Sequence, residues 1–227
     1  MLSVIIPTRN NGSELAACLR SLRPWDGLVS EVVIVDGGSV PPPRAMLRGL
    51  PARVIATPRG RGLQLARGAK AAHNAWFLFL HSDTRLRPGW QEAVREFMVV
   101  HARPETAAGV FRLRLRAKGW RARATEWGAG LRWRLMRMPY GDQGLLIARA
   151  TYFALGEYKP LALMEDVALM RKLPRRARHR LEAEAHSSAA RYRRDGYARR
   201  WGINLACLIL YYLGVRPARL ARFYEQR

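Results

Sequence analysis

The sequence predicts an α/β fold with a mostly parallel central sheet flanked by helices. Three observations support this prediction. Short apolar runs alternate with stretches whose apolar residues recur at helical spacing. The chain has 227 residues, enough for one domain with a sizeable core. Its 49% hydrophobic and 25% charged residues are typical of a packed globular protein and not of a disordered or membrane-embedded one.

Four segments of the first 83 residues are predicted strands and two are predicted helices. The strands are LSVIIPT (2–8), SEVVIVDGGS (30–39), ARVIATP (52–58) and WFLFLHSD (76–83). The helices are GSELAACLRSLRP (12–24), with Ser13 as candidate N-cap, and GLQLARGAKAAHNA (62–75). A proline-rich loop at 41–43 separates the second and third strands. This alternation favours parallel strands joined by right-handed crossovers.

Two acidic residues stand where predicted strands end: Asp36 closes the second strand and Asp83 the fourth. Ligands of such sheets bind outside the carboxyl ends of the strands. The sequence RGRG, with Arg59 and Arg61, begins the second predicted helix nearby. Together these residues suit a nucleotide diphosphate with a divalent metal ion. Each aspartate alone fits a turn or a helix cap equally well.

The glycine pattern argues against two common nucleotide sites. RGRG lacks the Gly-Lys-Ser/Thr of a P-loop, and no GxGxxG follows the first strand. Both the P-loop and the dinucleotide-binding interpretations therefore lose support.

The charge of the chain is strongly positive. Lys plus Arg number 40 against 17 Asp plus Glu, a formal net charge of +23. Such a balance predicts attraction to polyanions: nucleic acid, an anionic membrane surface or a phosphorylated substrate. Nearly all of these cations are arginines, a bias that genome composition also produces. The two cysteines, Cys18 and Cys207, lie in apolar runs without ligand-like spacing, which indicates a reducing compartment.

The C-terminal half contains basic segments interleaved with apolar and aromatic residues. Within residues 105–138, VFRLRLRA (110–117) is a predicted strand, and a helix mixing Arg and Trp follows. The tail places the apolar run GINLACLILYYLGV (202–215) between two basic segments, and this run is too short to span a bilayer alone. Two interpretations of the tail remain open: helices at an anionic membrane interface, or a hairpin packed on the domain.

Six ordered blocks resemble family 2 glycosyltransferases of the GT-A fold, and most closely the small bacterial branch labelled selenodomain-associated or radical-SAM-associated transferase 2. The blocks are SVIIPTRNNGSELAACLRSL, EVVIVDGGS, RGRGLQLARGAKAA, FLHSDTRL, GDQGLLIARATYFALGEY and LMEDVALMRKL. The resemblance covers nearly the whole chain. It implies a GT-A catalytic domain at 1–186, followed by a helical tail at 187–227. It also implies an inverting transfer of sugar from a nucleotide-diphosphate sugar to an acceptor hydroxyl.

The resemblance also implies a set of donor and metal residues. The donor nucleotide-binding residues are Pro7, Thr8, Glu14, Asp36, Arg61 and Ser82. Residues 81–83 correspond to the family's Asp-x-Asp motif, which holds a metal ion on the donor diphosphate. Here His81 replaces the first aspartate, so Asp83 is the carboxylate that keeps the metal position. Because Mg²⁺ prefers oxygen ligands, an imidazole tilts the expected divalent cation from Mg²⁺ toward Mn²⁺.

The implied catalytic residues lie further along the chain. Asp166 corresponds to the family's general base, which takes the proton of the attacking hydroxyl. Glu165 is expected to orient its neighbours or the acceptor, and Asp142 and Gln143 resemble the loop that borders the acceptor pocket. The alternative for Glu165 and Asp166 is that they cap the helix VALMRKL.

The expected location is cytoplasmic, with contact at the inner face of the cell membrane as a further interpretation. The N-terminus lacks the basic region of a signal peptide. The expected partners are a nucleotide-diphosphate sugar and an acceptor of open identity, with a lipid-linked one favoured by the basic tail. Three alternatives remain: a sugar nucleotidyltransferase, a nucleotide-binding protein without turnover, and a nucleic-acid-binding protein, the last supported by charge alone.

Overall fold

The central element is an eight-stranded sheet, as seen in the computed structural model, which describes residues 1–24, 27–43, 52–102 and 107–225. The strands are β1 (Leu2–Thr8), β2 (Val29–Asp36), β3 (Ala52–Ala56), β4 (Trp76–Phe79), β5 (Thr84–Leu86), β6 (Ala108–Leu115), β7 (Leu145–Ala148) and β8 (Arg178–Ser187). Their spatial order is β3-β2-β1-β4-β7-β6-β8-β5.

The strand pairing confirms the predicted mostly parallel sheet. β1 is parallel to β2 and β4, β2 to β3, and β6 to β8. β7 is antiparallel to β4 and β6, and β5 is antiparallel to β8. The chain moves outward from β1 to β3 and then returns to the other side of β1 as β4. This reversal creates a switch point beside β1, where ligands of such sheets bind.

Helices cover both faces of the sheet. They are α1 (Gly12–Ser21), α2 (Arg61–Ala71), α3 (Trp90–Val100), α4 (Trp120–Met136), α5 (Arg149–Ala154), α6 (Glu165–Met170), α7 (Ala190–Asp195), α8 (Tyr197–Tyr212) and α9 (Pro217–Glu225). Because successive side chains of a strand face opposite ways, β1 divides the core in two. Val4 and Ile6 pack with α1 and α3, whereas Ile5 packs on the face that carries α2, α6 and α8.

The predicted elements of the first 83 residues are present in the predicted order, with shorter ends. The first helix ends at Ser21, before Pro24, because a residue preceding proline disfavours helical geometry. The fourth strand ends at Phe79, which leaves residues 81–83 in a turn. The predicted strand at 110–117 is β6, and the predicted Arg- and Trp-rich helix is α4. Residues 105–106 of that segment and 44–51 after the proline-rich loop lie outside the described residues.

The tail helices α7–α9 pack on the domain. Cys207, Leu208 and Leu220 are buried in the core that also contains α2 and α6. The indole N–H of Trp201 donates to Thr125 Oγ1 of α4 at 2.8 Å. Of the helices among the described residues, each falls short of the length or apolar character that crossing a membrane would need.

Candidate active site

A cleft of about 530 Å³ opens at the carboxyl edge of β1 and β4, at the switch point of the sheet. The loop after β1 forms one wall, and the turn after β4 forms the floor. These two loops are joined because the Asn11 side-chain amide donates to Ser82 Oγ at 3.0 Å. Segments that are far apart in sequence therefore meet at the edge of the sheet where the sequence predicts the site.

The predicted metal residues both line this cleft. Burial, followed by the nearby charges of Arg61 and Arg191, holds the pKa of His81 well below its ordinary value. Burial also raises the pKa of Asp83. Gly141 packs against the His81 ring, since a Cβ on Gly141 would lie 2.7 Å from His81 Nε2. His81 is therefore a neutral imidazole, the form that can ligate a metal ion.

Most predicted donor residues also line the cleft: Pro7, Thr8, Glu14, Arg61 and Ser82. Glu14 is engaged in ion pairs, with Arg116 at 2.6 Å and with Arg85 at 3.3 Å.

Asp36 is also at this edge of the sheet, but its carboxylate does not line the cleft. It accepts hydrogen bonds from the Ser39 backbone N–H at 3.1 Å and from Ser39 Oγ at 2.5 Å. Ser39 Oγ in turn accepts from the Asn10 backbone N–H at 2.8 Å. This network orders the loops after β1 and β2 beside the cleft.

The half-buried Arg61 and the buried Glu165 form an ion pair across 104 residues of sequence. The segment RGRG therefore provides both an arginine for this ion pair and a glycine for close packing. A Cβ on Gly62 would lie 2.2 Å from the Lys159 carbonyl oxygen, so only glycine allows α2 to approach this segment. Glu165 itself does not line the cleft, and its contact with Arg61 makes it a positioning residue for that guanidinium.

Asp166 lines the cleft, and its two carboxylate oxygens have separate partners. Oδ2 accepts from the Gly141 backbone N–H at 2.6 Å, and Oδ1 accepts from the Val167 backbone N–H at 2.7 Å. The carboxylate thus lies in the first turn of α6 and joins it to the loop at Gly141, whereas the N-cap position is Met164 and has no side-chain cap.

Asp142 lines the cleft, whereas its neighbour Gln143 points into the interior. Burial raises the pKa of Asp142 to about 6, with further contributions from Asp166 and Asp83. Asp142 Oδ1 is buried without a hydrogen-bond partner. Gln143 donates to the Phe111 carbonyl at 3.0 Å and accepts from Arg132, so it holds the loop in place.

Five polar or aromatic cleft residues on α7–α9 were not predicted from the sequence. They are Arg191, Tyr192, Arg200, Asn204 and Tyr224. The guanidinium of Arg200 lies 4.2 Å from the ring centre of Tyr224, so α8 and α9 form this wall together. The only sequence signal was the local mixture of arginine and tyrosine, which indicated an interface but not a wall of the cleft.

The side chains present fit a weakly held divalent cation. Within residues 1–24, 27–43, 52–102 and 107–225, no three His, Cys, Asp or Glu side chains converge as a metal-binding group. Mg²⁺ in phosphate-transferring sites is commonly held by one or two carboxylates together with substrate phosphates. Asp83 with the neutral His81 offers such a partial set, which the oxygens of a diphosphate would complete.

Comparison with known proteins identifies the family. The model of the family described as Glycosyl transferase family 2 matches residues 3–156, more than half of the chain. The chain belongs to glycosyl transferase family 2. The match contains the cleft residues from β1 through Asp142 and ends before Asp166 and the tail.

Among curated proteins, this family member is similar to the uncharacterized protein MT1568 of Mycobacterium tuberculosis, with 32% identity over 100 residues. That similarity covers 39% of this chain and 30% of the relative. The chain thus aligns with less than a third of the length of the curated relative.

Solved structures of glycosyltransferases share the fold of this family member, which is GT-A. Glucosyl-3-phosphoglycerate synthase from Mycobacterium tuberculosis, solved with Mn²⁺, UDP and glucosyl-3-phosphoglycerate, has a TM-score of 0.58 at 20% identity. The similarity covers 82% of this chain and 71% of that one. S. aureus TarS 1-349 in complex with UDP has a TM-score of 0.57 at 16% identity, covering 82% of this chain and 60% of that one.

Proposed function

We propose that this protein is an inverting glycosyltransferase that transfers a sugar from a UDP-sugar to an acceptor hydroxyl. The observation that carries the proposal is the convergence of Asp83, Asp142 and Asp166 with Arg61 around one cleft at the switch point of the sheet. Family membership and the UDP bound in two of the structural neighbours support it. The proposal includes a catalytic domain at 1–186 with a tail at 187–227, and a place in the selenodomain- or radical-SAM-associated branch.

The donor is proposed to lie along the loops after β1 and β4. Thr8, Pro7 and Ser82 border its nucleotide half, and Asp36 orders the loops beside it through Ser39. Arg61 is held toward the cleft by Glu165, a position suited to the diphosphate oxygens. A guanidinium binds such oxygens through paired N–H groups, which fixes the leaving group as well as neutralising it.

Asp166 is proposed as the general base. Its carboxylate is held by two backbone N–H groups and lines the cleft, so it can accept the proton of an acceptor hydroxyl. Attack opposite the leaving diphosphate inverts the anomeric centre. Asp142 is proposed to border the acceptor beside it. Its pKa near 6 leaves it partly protonated in mildly acidic solution, which suits a hydrogen bond to an acceptor oxygen.

A divalent cation, Mn²⁺ or Mg²⁺, is proposed as cofactor, with Asp83 and His81 as its protein ligands. When bound, it would stabilise negative charge on the leaving diphosphate as a Lewis acid. A single carboxylate with an imidazole favours Mn²⁺. The Mn²⁺ bound with UDP in glucosyl-3-phosphoglycerate synthase supports this choice.

The acceptor is proposed to be lipid-linked, and the enzyme is proposed to work at the cytoplasmic face of a membrane. The net charge of +23 and the arginine-rich tail beside the cleft support this location.

The first test measures the binding of UDP, GDP, CDP and TDP by thermal shift and by calorimetry, in the presence and absence of Mn²⁺. We expect UDP with Mn²⁺ to raise the melting temperature of the wild type, and Asp83→Asn to lose the Mn²⁺-dependent part of that rise. Glu92→Gln is the matched control, because it removes an exposed carboxylate of α3 far from the cleft.

Other outcomes would contradict the proposal in distinct ways. Failure of every nucleoside diphosphate to bind, with or without Mn²⁺, would remove the donor site. UDP binding without release of UDP from any UDP-sugar would favour a binding protein. Formation of pyrophosphate from UTP and a sugar 1-phosphate would favour a nucleotidyltransferase.

A further inference from the structure

The outer faces of α4 and α8 carry exposed apolar side chains at helical spacing. On α4 they are Trp120, Trp127, Leu131 and Leu135, and on α8 with its last turn they are Leu205, Ile209, Tyr212 and Leu213. We call these eight residues the apolar stripe. The two helices are neighbours, because Trp201 of α8 donates a hydrogen bond to Thr125 of α4.

The exposure of this stripe is large for a soluble surface. Trp127 is 71% exposed and Leu213 is 75% exposed. Single exposed apolar residues are ordinary, but eight of them at helical spacing on two helices that touch indicate an interaction site. Trp and Tyr at the edge of a Leu- and Ile-rich helix face are typical of helices that lie in a membrane interface.

A basic pocket adjoins the stripe at Trp127. It has a volume of about 340 Å³ between α4 and the strands β6 and β8, and Arg112, Arg180, Gly130 and Trp133 line it. Glu126, its acidic residue, is already paired with Arg114 and Arg123. Arg112 lies 4.0 Å from the exposed Glu182.

The guanidinium groups of this pocket repel one another. Burial, then the charge of Arg112, lowers the pKa of Arg180, and the charges of Arg137 and Arg134 lower it further. The carboxylate of Glu182 acts in the opposite direction but is 85% exposed. A cluster of like charges beside two tryptophans is a site that an anion would stabilise.

The segments that carry most of the stripe are rich in positive charge. The sequence from 127 to 141 contains no acidic residue, and neither does the sequence from 196 to 224. The guanidinium of Arg171 lies 4.7 Å from the ring centre of Tyr212, at the end of the stripe. An apolar face surrounded by arginines complements the headgroups and acyl boundary of an anionic bilayer.

We propose that the apolar stripe and the basic pocket together bind an anionic phospholipid bilayer, with the stripe in the acyl boundary and the pocket on a headgroup phosphate. A second copy of the chain would bring the same positive charge against it, which disfavours self-association. A nucleic acid would use the arginines but would leave the aliphatic residues Leu205, Ile209 and Leu213 exposed to water.

Membrane binding would also orient the cleft. Leu205 and Ile209 lie on the outer face of α8, whereas Arg200 and Asn204 of the same helix line the cleft. A helix is about 10 Å across, so the cleft would open close to the headgroup layer. This orientation, unlike the lipid binding itself, rests on the proposed function, because it matters only if the acceptor is lipid-linked.

The first arm of the test is co-sedimentation with vesicles of phosphatidylcholine, alone or mixed with phosphatidylglycerol. The wild type is expected to bind the mixed vesicles and to bind pure phosphatidylcholine roughly tenfold more weakly. The double variant Leu205→Ser/Ile209→Ser is expected to lose about tenfold in binding to the mixed vesicles. Val99→Ser/Val100→Ser is the control, because it removes two exposed apolar side chains of α3 on the opposite face of the sheet.

The second arm tests the pocket with a matched pair of glycines. A Cβ on Gly130 or on Gly128 would meet no atom within 4 Å, so both positions accept a side chain. Only Gly130 lines the pocket. Gly130→Gln is therefore expected to fill it and to weaken binding to phosphatidylglycerol vesicles about tenfold, while Gly128→Gln binds as the wild type does.

Several results would overturn this inference. Equal binding of the wild type to both vesicle types, or unchanged binding of the stripe and Gly130 variants, would remove the lipid site. A dimer that Leu205→Ser/Ile209→Ser dissociates in light scattering would assign the stripe to a second copy. Binding of an RNA oligonucleotide that Gly130→Gln abolishes would assign the pocket to nucleic acid. UDP binding, measured on the same variants, reports separately on the proposed function.

Discussion

Arginines are used differently in the cleft and on the outer surface of α4 and α8. In the cleft, Arg61 is paired with Glu165, and Glu14 is paired with Arg116 beside it. On the outer surface, Arg114 and Arg123 are paired with Glu126, whereas Arg112 and Arg180 lie among arginines with the exposed Glu182 as their acidic neighbour. A buried charge is costly without a partner, whereas water solvates an exposed cluster of like charges, which stays available to bind an anion. One arginine-rich composition therefore underlies both the proposed active site and the proposed docking surface, and the position of the carboxylates distinguishes them.

The largest expected effect concerns the carboxylates of the cleft. Asp166→Asn removes the proposed base while leaving an amide of the same shape. We expect the rate of UDP release from a UDP-sugar in water to fall about a thousandfold, with UDP binding unchanged, because general bases contribute this much. Measurements of kcat and of UDP affinity check the two parts. A thousandfold loss in Asp142→Asn with Asp166→Asn near the wild-type rate would transfer the role of base to Asp142.

The two sides of α8 give the next prediction. Leu208 is 5% exposed within the core, and Leu205 is 59% exposed on the apolar stripe. Leu208→Ala is expected to lower the free energy of unfolding by about 3 kcal/mol, because it leaves a cavity. Leu205→Ala is expected to change it by less than about 0.5 kcal/mol. Urea denaturation measures both. Equal small effects would mean that the tail does not pack on the domain in solution.

The smallest predicted effect depends on pH. The pKa of Asp142 is about 6, above its ordinary value of 3.8, so the folded protein binds more protons than the unfolded chain between these pH values. The free energy of unfolding therefore falls as the pH rises through this window. Asp142→Asn removes that loss and is expected to stabilise the protein by about 2 kcal/mol at pH 7.5 but not at pH 4.

Urea denaturation at both pH values, without nucleotide or metal, tests the sign of this effect. An equal gain at both pH values would mean that packing, and not the charge of Asp142, causes the stabilisation. Glu92→Gln is again the control, because its carboxylate is exposed on α3.

Much of the fold was predictable because its signals are local. Four apolar strands and two amphipathic helices in the first 83 residues appear where their periodicity predicted them. The strands β5, β7 and β8 were not assigned. Two of them are only three and four residues long, and β8, from Arg178 to Ser187, is rich in charged residues. Their pairing depends on partners distant in sequence.

The candidate site was predictable in part for a similar reason. Asp83 and Thr8 lie in or beside the cleft because parallel strands end at a common edge. Gln143 next to Asp142 turns inward to Phe111, and no local pattern distinguishes two neighbouring polar residues in a turn. The tail residues Arg200 and Tyr224 reach the cleft only through the packing of α8 and α9.

The sequence by itself determined the first four strands, the first two helices and the acidic residues at the strand ends, because backbone periodicity and turn chemistry act over a few residues. Only the tertiary structure decided which side chains meet. Arg61 and Glu165 are 104 residues apart, and their ion pair exists because Gly62 lets α2 approach the segment before α6. Whether an arginine is paired in a cleft or exposed on a docking surface depends on contacts of this kind, and no stretch of sequence encodes them alone.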